Sequence, residues 1–185
     1  MARRTRRPNA YGFEVPELAH LPWLDVRAVS RLSGFSISTL HMQFQREVYA
    51  WIEIGQQGRA RRLDAASALH IMVTGKLAIG FGLPVALASA LAMDIVGRWQ
   101  PQPPSRRVAL TEPNLKAVIG PTSEPDPGEI ISPRPRSVWV VRAKRLADIE
   151  RELGDELPRN CIVLDLSEMV GLLREAATSA GGSEL

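Results

Sequence analysis

Apolar residues recur at helical spacing between Asp25 and Arg46, and one polar interruption divides this stretch in two. Three of them form a single stripe, which predicts a first short helix: Val26, Val29 and Leu32. The pair Ser33–Gly34 interrupts the pattern, and glycine readily adopts the left-handed conformation that ends a helix. Ser36 is a suitable N-cap for a second helix because its hydroxyl can accept a backbone N–H. The pattern therefore predicts two helices joined by a tight turn.

The predicted second helix has an apolar face and a polar face. Its apolar residues are expected to pack on the first helix: Ile37, Leu40 and Phe44. Its opposite face carries the candidate base-contacting residues: Ser38, Thr39, His41, Met42, Gln45 and Arg46. This arrangement is typical of a helix-turn-helix, whose second helix enters the major groove of DNA. A helical hairpin that binds no DNA has the same pattern, so both interpretations stand at this point.

Strand-forming residues and a basic segment follow the second helix. Five residues favour a strand: Val48, Tyr49, Trp51, Ile52 and Ile54. A turn at Gly55–Gly58 and a returning strand at Arg59–Leu63 complete a predicted β-hairpin over residues 48–63, the position of a wing. Guanidinium groups donate bidentately to phosphate oxygens, so three arginines are candidate phosphate contacts: Arg59, Arg61 and Arg62. The alternative is an ordinary hairpin with a solvated basic edge.

Two further helices are predicted after the hairpin. Asp64 is a suitable N-cap for a helix over Ala65–Ile79, and the glycines at positions 80 and 82 end it. Pro84 suits the first turn of the next helix. Residues that recur on one face of that helix are Ala88, Leu91, Ala92, Ile95 and Trp99. His70 is expected at the boundary of the apolar stripe in the earlier helix.

The order of these elements resembles the winged-helix domain of MerR-like regulators over about residues 25–97. In that family a Gly-x-Ser-x-x-Thr-Leu segment opens the recognition helix, and residues 34–40 here read Gly-Phe-Ser-Ile-Ser-Thr-Leu. The segment Arg62–Asp64 is similar to the basic, aromatic and acidic residues that follow the family's wing. His41 stands where the family usually has arginine, and the family's long coiled-coil dimerisation helix is missing. The resemblance implies binding of double-stranded DNA without MerR-type effector sensing.

A proline-rich linker is predicted at residues 100–105, and a smaller module follows it. Four apolar stretches are candidate strands of this module: Val108–Leu110, Ala117–Ile119, Ser137–Val141 and Cys161–Leu166. A loop is predicted at residues 120–136, and an amphipathic helix at Arg142–Leu153 has Leu146, Ile149 and Leu153 on one face. Ser167 and Glu168 suit the start of a final helix, which Asp165 is expected to cap.

These elements predict a small α/β domain over residues 106–177 with a flexible tail at 178–185. A small sheet with two amphipathic helices suits association, so we expect this domain to form a homodimer or to bind another protein.

Charge is distributed unevenly, although the net charge of the chain is only +3. Residues 1–62 hold ten arginines and five acidic residues, whereas residues 101–185 carry a balance of −2. The amino-terminal third is therefore expected to face a polyanion. Residues 1–24 are predicted as a basic arm and lead-in segment, in which Arg3 and Arg4 are candidate DNA contacts. A solvated tail is the alternative.

The lead-in segment also carries four apolar residues that are expected to pack against the helices: Phe13, Leu18, Leu21 and Trp23. Because Cys161 is the single cysteine, an internal disulfide is excluded and a reducing compartment is favoured. The sequence shows no signal peptide, no membrane span, no glycine-rich phosphate loop and no histidine after His70. We therefore expect a cytoplasmic protein that is not an enzyme and holds no cofactor or metal.

Together these patterns predict an α+β protein, with a mainly helical winged helix-turn-helix domain at residues 25–99 followed by the small α/β domain. The predicted function is a sequence-specific, DNA-binding transcription regulator that dimerises through the carboxy-terminal domain. An excisionase or phage packaging-type DNA-binding protein is one alternative. A protein-interaction adaptor that does not bind DNA is another.

Overall fold

The computed structural model describes residues 18, 20–49, 52, 62–97, 114–121, 136–157 and 160–181. Within these residues the architecture is mostly helical α+β with two small antiparallel sheets, which confirms the predicted fold class at that level. The described residues form two compact units. One contains the residues before 98 together with 172–181, and the other contains residues 114–171.

The first unit begins with a short strand that leads directly into two short helices joined by a turn. Its elements are β1 (Leu24–Asp25), α1 (Val26–Ser33), α2 (Ile37–Gln45), β2 (Arg62–Leu63), α3 (Ala65–Gly75) and α4 (Val85–Gly97). Strands β1 and β2 pair in antiparallel orientation. The predicted caps are confirmed, because Ser36 accepts the Thr39 N–H at 3.0 Å and Asp64 accepts the Ser67 N–H at 2.7 Å.

Helix α3 lies at the centre of this unit, since ten of its eleven residues are buried. The sequence predicts an apolar stripe of Leu69, Met72, Val73 and Leu77, and all four are buried. The stripe is too narrow as a prediction, because a helix covered by neighbours on every side buries its whole circumference. The helix also stops earlier than predicted, and a π-helical turn at Lys76–Gly80 continues it. The predicted face of α4 is confirmed for its described members, which are all buried: Ala88, Leu91, Ala92 and Ile95.

Helices α1 and α3 cross with their backbones in contact. A Cβ atom built on Gly75 would lie 2.0 Å from the carbonyl oxygen of Ser33, far inside van der Waals contact. Only glycine therefore fits at this position of α3. The crossing fixes the carboxyl end of α1, which is where the turn begins.

The segment after α2 differs from the predicted wing. Val48 and Tyr49 lie in a turn, where the Val48 N–H donates to the carbonyl of Gln43 and the Ile52 N–H donates to that of Tyr49. Burial of the Tyr49 side chain among the helices favours this turn over an extended strand. The returning strand does form at Arg62–Leu63, and its partner in the structure is β1.

Several predicted burials are also wrong. Two large apolar side chains expected to pack against the helices are exposed, Trp23 at 49% and Ile37 at 40%. Leu146, on the predicted apolar face of residues 142–153, is exposed at 58%. Leu18, from the same lead-in segment as Trp23, is buried as predicted. Periodicity places Ile37 on the apolar face of α2, but it is the first residue of the helix and its side chain is exposed.

The second unit contains a three-stranded sheet. Its elements are β3 (Leu115–Pro121), β4 (Arg136–Arg142), α5 (Leu146–Leu153), β5 (Ile162–Asp165) and the beginning of α6 (Leu166–Gly181). The strand order is β4-β3-β5, and β3 is antiparallel to both neighbours. Strands β4 and β5 therefore run in the same direction on either side of β3, with α5 connecting them, as in a split β-α-β unit. Val108–Leu110 lies outside the described residues.

The junction between β5 and α6 is held by polar contacts. Asp165 pairs with Lys116 of β3 and accepts the Glu168 N–H at 3.1 Å, which confirms its predicted capping role. Partial burial raises the pKa of Asp165, but the hydrogen bonds from Lys116 and Glu168 outweigh burial and hold the pKa below its usual value. Helix α6 continues to Gly181, so the predicted tail from Thr178 begins as helix.

Substitution of Gly75 by alanine is expected to destabilise the protein, because the new methyl group would meet the backbone of Ser33. Overpacking at a site that cannot relax lowers the free energy of unfolding by about 1–3 kcal/mol or more. The matched control is Gly80→Ala, since a Cβ on Gly80 meets nothing within 4 Å. Urea unfolding of both variants measures the difference, and equal stabilities would contradict the close crossing.

Candidate nucleic-acid interface

The turn between α1 and α2 is fixed by local hydrogen bonds. Gly34 adopts a φ of +78°, and its N–H donates to the carbonyl of Ser30 at 3.1 Å. The Ser30 hydroxyl donates to the carbonyl of Phe35 at 2.7 Å, and the Phe35 N–H donates to the Ser33 hydroxyl at 3.3 Å. Phe35 itself is buried. These contacts set the direction in which α2 leaves the turn.

Helix α2 exposes the face that the sequence predicts. Ser38, His41, Met42, Gln45 and Arg46 are all exposed, and Thr39 is half-buried. The spacing of three, four and seven residues puts these side chains on one side of the helix. None of them is acidic. The opposite side of α2 is buried through Leu40, Gln43 and Phe44.

The hydroxyl groups at the start of this face are engaged with the helix cap. The Ser36 hydroxyl hydrogen bonds with those of Ser38 at 2.9 Å and Thr39 at 2.7 Å. By contrast, the side chains of His41, Gln45 and Arg46 form no hydrogen bond or ion pair with any residue that the structure describes. The later turns of the helix therefore carry the polar side chains that are available to an external ligand.

A cluster of polar side chains lies beneath α2, and we call it the buried polar network: Gln43, Tyr49, His70, Thr74 and Ser89. The Tyr49 hydroxyl donates to Gln43 Oε1 at 2.8 Å, and His70 Nε2 lies 3.0 Å from the Ser89 hydroxyl. The Ser89 hydroxyl donates to the carbonyl of Val48 at 3.2 Å. The ring of Tyr49 lies edge-on to that of His70, with centroids 5.8 Å apart.

His70 does not occupy the boundary position that the sequence predicts. Its side chain is fully buried, because α3 is covered on all sides. Burial lowers the pKa of His70 to about 3, so the imidazole is neutral at physiological pH. Burial also raises the pKa of Tyr49 well above its usual value, with a hydrogen bond to Thr74 opposing this. Both side chains therefore act as neutral hydrogen-bonding groups.

The predicted phosphate-binding arginines are only partly described. Arg62 is exposed on β2. Arg3, Arg4, Arg59 and Arg61 lie outside the described residues, as does the predicted turn at Gly55–Gly58. Two further exposed arginines, Arg27 and Arg31, lie four residues apart on α1 and were missed by the sequence interpretation. The sequence does contain a signal for their exposure, because they are four residues apart on α1 and lie outside its apolar stripe.

No protein-family model matches the chain, and none of the curated proteins matches it either. Within the described ranges, no helix combines the length and apolar character that crossing a membrane requires. The same part of the chain brings together no group of three His, Cys, Asp or Glu side chains suited to a metal ion.

Acid is expected to destabilise the first unit through His70. The unfolded chain protonates this imidazole near pH 6.5, whereas the folded state resists protonation down to about pH 3. The free energy of unfolding should therefore fall by about 1.4 kcal/mol per pH unit below about pH 6.5. His70→Gln should have a shallower slope in urea unfolding at successive pH values.

The control for this experiment is His20→Gln, since His20 is exposed. This variant tests whether removing an exposed imidazole is enough to change the slope. If His70→Gln retained the full slope, the buried neutral state of His70 would be contradicted.

Proposed function

We propose that this chain binds double-stranded DNA with α2 as its recognition helix, and that it is a sequence-specific transcription regulator of the MerR-like type. The observation that carries this proposal is the outward face of α2. That face presents polar side chains and an arginine, contains no acid, and projects from a turn that is rigidly held. A major groove admits one α-helix whose side chains reach the base edges.

The chemistry of this face suits base recognition. A glutamine such as Gln45 can pair bidentately with adenine, and an arginine such as Arg46 with guanine. The exposed methionine, Met42, provides an apolar surface for a thymine methyl group. Each good bidentate pair contributes about 1–3 kcal/mol of discrimination against the wrong base. His41 replaces the arginine usual in MerR-like proteins, so we expect the preferred sequence to differ from theirs.

Phosphate contacts would position this helix on the duplex. Exposed Arg62 is one candidate, and Arg59, Arg61, Arg3 and Arg4 are the others that the sequence suggests. Arg3 and Arg4 precede α1 and α2 in the chain, and the other three arginines follow them. Phosphate contacts from both groups would hold the two helices in one register on the duplex. Dimerisation through the second unit, where Leu146 is exposed on α5, would add avidity for a two-part site.

A second candidate function is a protein-interaction adaptor that does not bind DNA. Exposed apolar side chains favour it, because Ile37 and Met42 lie on α2 and Ile79 and Phe81 follow α3. Ile79 approaches the turn, since a Cβ on Gly34 would lie 3.1 Å from its Cδ1 atom. An adaptor of this kind would bind a polypeptide with little dependence on salt.

The phosphate contacts are tested by the triple variant Arg59→Ala/Arg61→Ala/Arg62→Ala. Fluorescence anisotropy measures the affinity for duplex DNA at salt concentrations between about 50 and 200 mM. The variant should bind more weakly than the unsubstituted chain, whatever the sequence of the duplex. The plot of log affinity against log salt should also become shallower, its slope decreasing in size by about 1 for each arginine that no longer neutralises a phosphate. Unchanged affinity at low salt would contradict the proposal that these three arginines contact phosphates.

The recognition face is tested by Gln45→Ala and Arg46→Ala. Each should reduce discrimination between a selected binding sequence and its single-base variants by about 1–3 kcal/mol. Glu175→Ala, an exposed substitution in α6, serves as the control. If the unsubstituted chain showed no salt-dependent DNA binding at all, the adaptor function would replace this proposal.

A further inference from the structure

We propose that Gln43, Tyr49, His70 and Ser89 are positioning residues for the DNA-binding face. They hold the carboxyl end of α2 and the segment after it in one fixed orientation, so that both can contact the same DNA. This inference rests on the proposed function and adds to it a set of residues that touch no DNA themselves. It concerns the buried side of α2, opposite the recognition face.

The contact with Val48 determines the direction of every hydrogen bond around Ser89. A serine hydroxyl has one hydrogen, and Ser89 donates it to the carbonyl of Val48. Its contact with His70 Nε2 therefore requires the imidazole to donate. His70 is thus held as the Nε2–H tautomer, and α3 and α4 together anchor the backbone just beyond α2.

The second anchor joins α2 to the same segment. Gln43 projects from the buried side of α2, and its Oε1 atom accepts the hydroxyl of Tyr49. The Tyr49 ring is held between two others, with ring centroids 5.5 Å from Phe44 and 5.8 Å from His70. Tyr49 therefore connects the end of α2 to α3 through both its hydroxyl and its ring.

The backbone between these anchors reverses direction sharply. Glu47 adopts a φ of +55°, which is unfavourable for a residue with a side chain. The Glu47 N–H donates to the carbonyl of Phe44 and the Val48 N–H to that of Gln43, so the helix ends in a tight turn. Such a conformation persists where the surrounding contacts determine it. The buried polar network supplies those contacts on both sides of Glu47.

Directional bonds distinguish this network from ordinary apolar packing. Apolar side chains stabilise many similar arrangements, whereas a buried hydrogen bond is satisfied only in a narrow range of geometries. Buried hydrogen bonds of this kind therefore favour one arrangement of the elements that they join. The elements joined here are α2, the segment of residues 46–49 beyond it, α3 and α4, which together fix that segment relative to the recognition face.

The test compares Ser89→Ala and Tyr49→Phe with the control Ile95→Val, which removes only a buried methyl group from α4. The three variants are compared at one temperature, at which urea unfolding curves show that each is fully folded in the absence of urea. Amide hydrogen exchange should be faster for residues 43–49 in the two network variants and unchanged there in the control. DNA binding should be about tenfold weaker with a smaller salt slope, as expected when one or two fewer phosphates are neutralised.

Ser89→Thr retains the hydroxyl and should restore both the exchange rates and the salt slope. If Ser89→Ala and Tyr49→Phe lowered stability but left both readouts at the control's values, the network would be merely structural and the inference wrong. Absence of DNA binding by the unsubstituted chain would overturn the proposed function separately. In that case the exchange rates of residues 43–49 alone would decide whether the network positions this segment.

Discussion

The contact between Ser33 and Gly75 is the constraint on which the first unit depends. Because the backbones of α1 and α3 touch at this point, the carboxyl end of α1 has one possible position. Gly34 then turns the chain, and the hydroxyls of Ser30 and Ser33 hold Phe35 in place. The turn therefore sets the direction in which α2 begins.

Helix α2 is held at its other end by polar contacts as well as apolar ones. Gln43 and Tyr49 join it to a core in which α3 is buried on every side and His70 is neutral. The two faces of α2 consequently have separate roles. Its buried face determines where the helix lies, and the polar side chains His41, Gln45 and Arg46 on its exposed face have no partner among the described residues. This separation is what a helix that reads an external ligand requires.

Local features of the fold were predictable from the sequence. Ser36 and Asp64 cap helices by accepting a backbone N–H only two or three residues further along the chain. Such a contact depends on the local sequence alone and requires no residue from elsewhere in the fold. Exposure of the α2 face followed from helical spacing. The predictions that failed concern long-range contacts. Tyr49 is a strand-forming residue type, but its ring is buried against that of His70. Strand β2 pairs with β1, which precedes it in the chain by two helices. Likewise, periodicity indicated the strands of the second unit but not that β3 lies between β4 and β5.

In the proposed complex, the exposed face of α2 contacts the bases of double-stranded DNA. The most direct test of this contact is a titration of the isotope-labelled chain with duplex DNA, followed by backbone amide chemical shifts. We expect the largest changes at residues 38–46 and at Arg62, with little change at β3 to β5. Changes confined to the second unit, or centred on Ile79 and Phe81 while α2 stays unperturbed, would contradict the proposed complex.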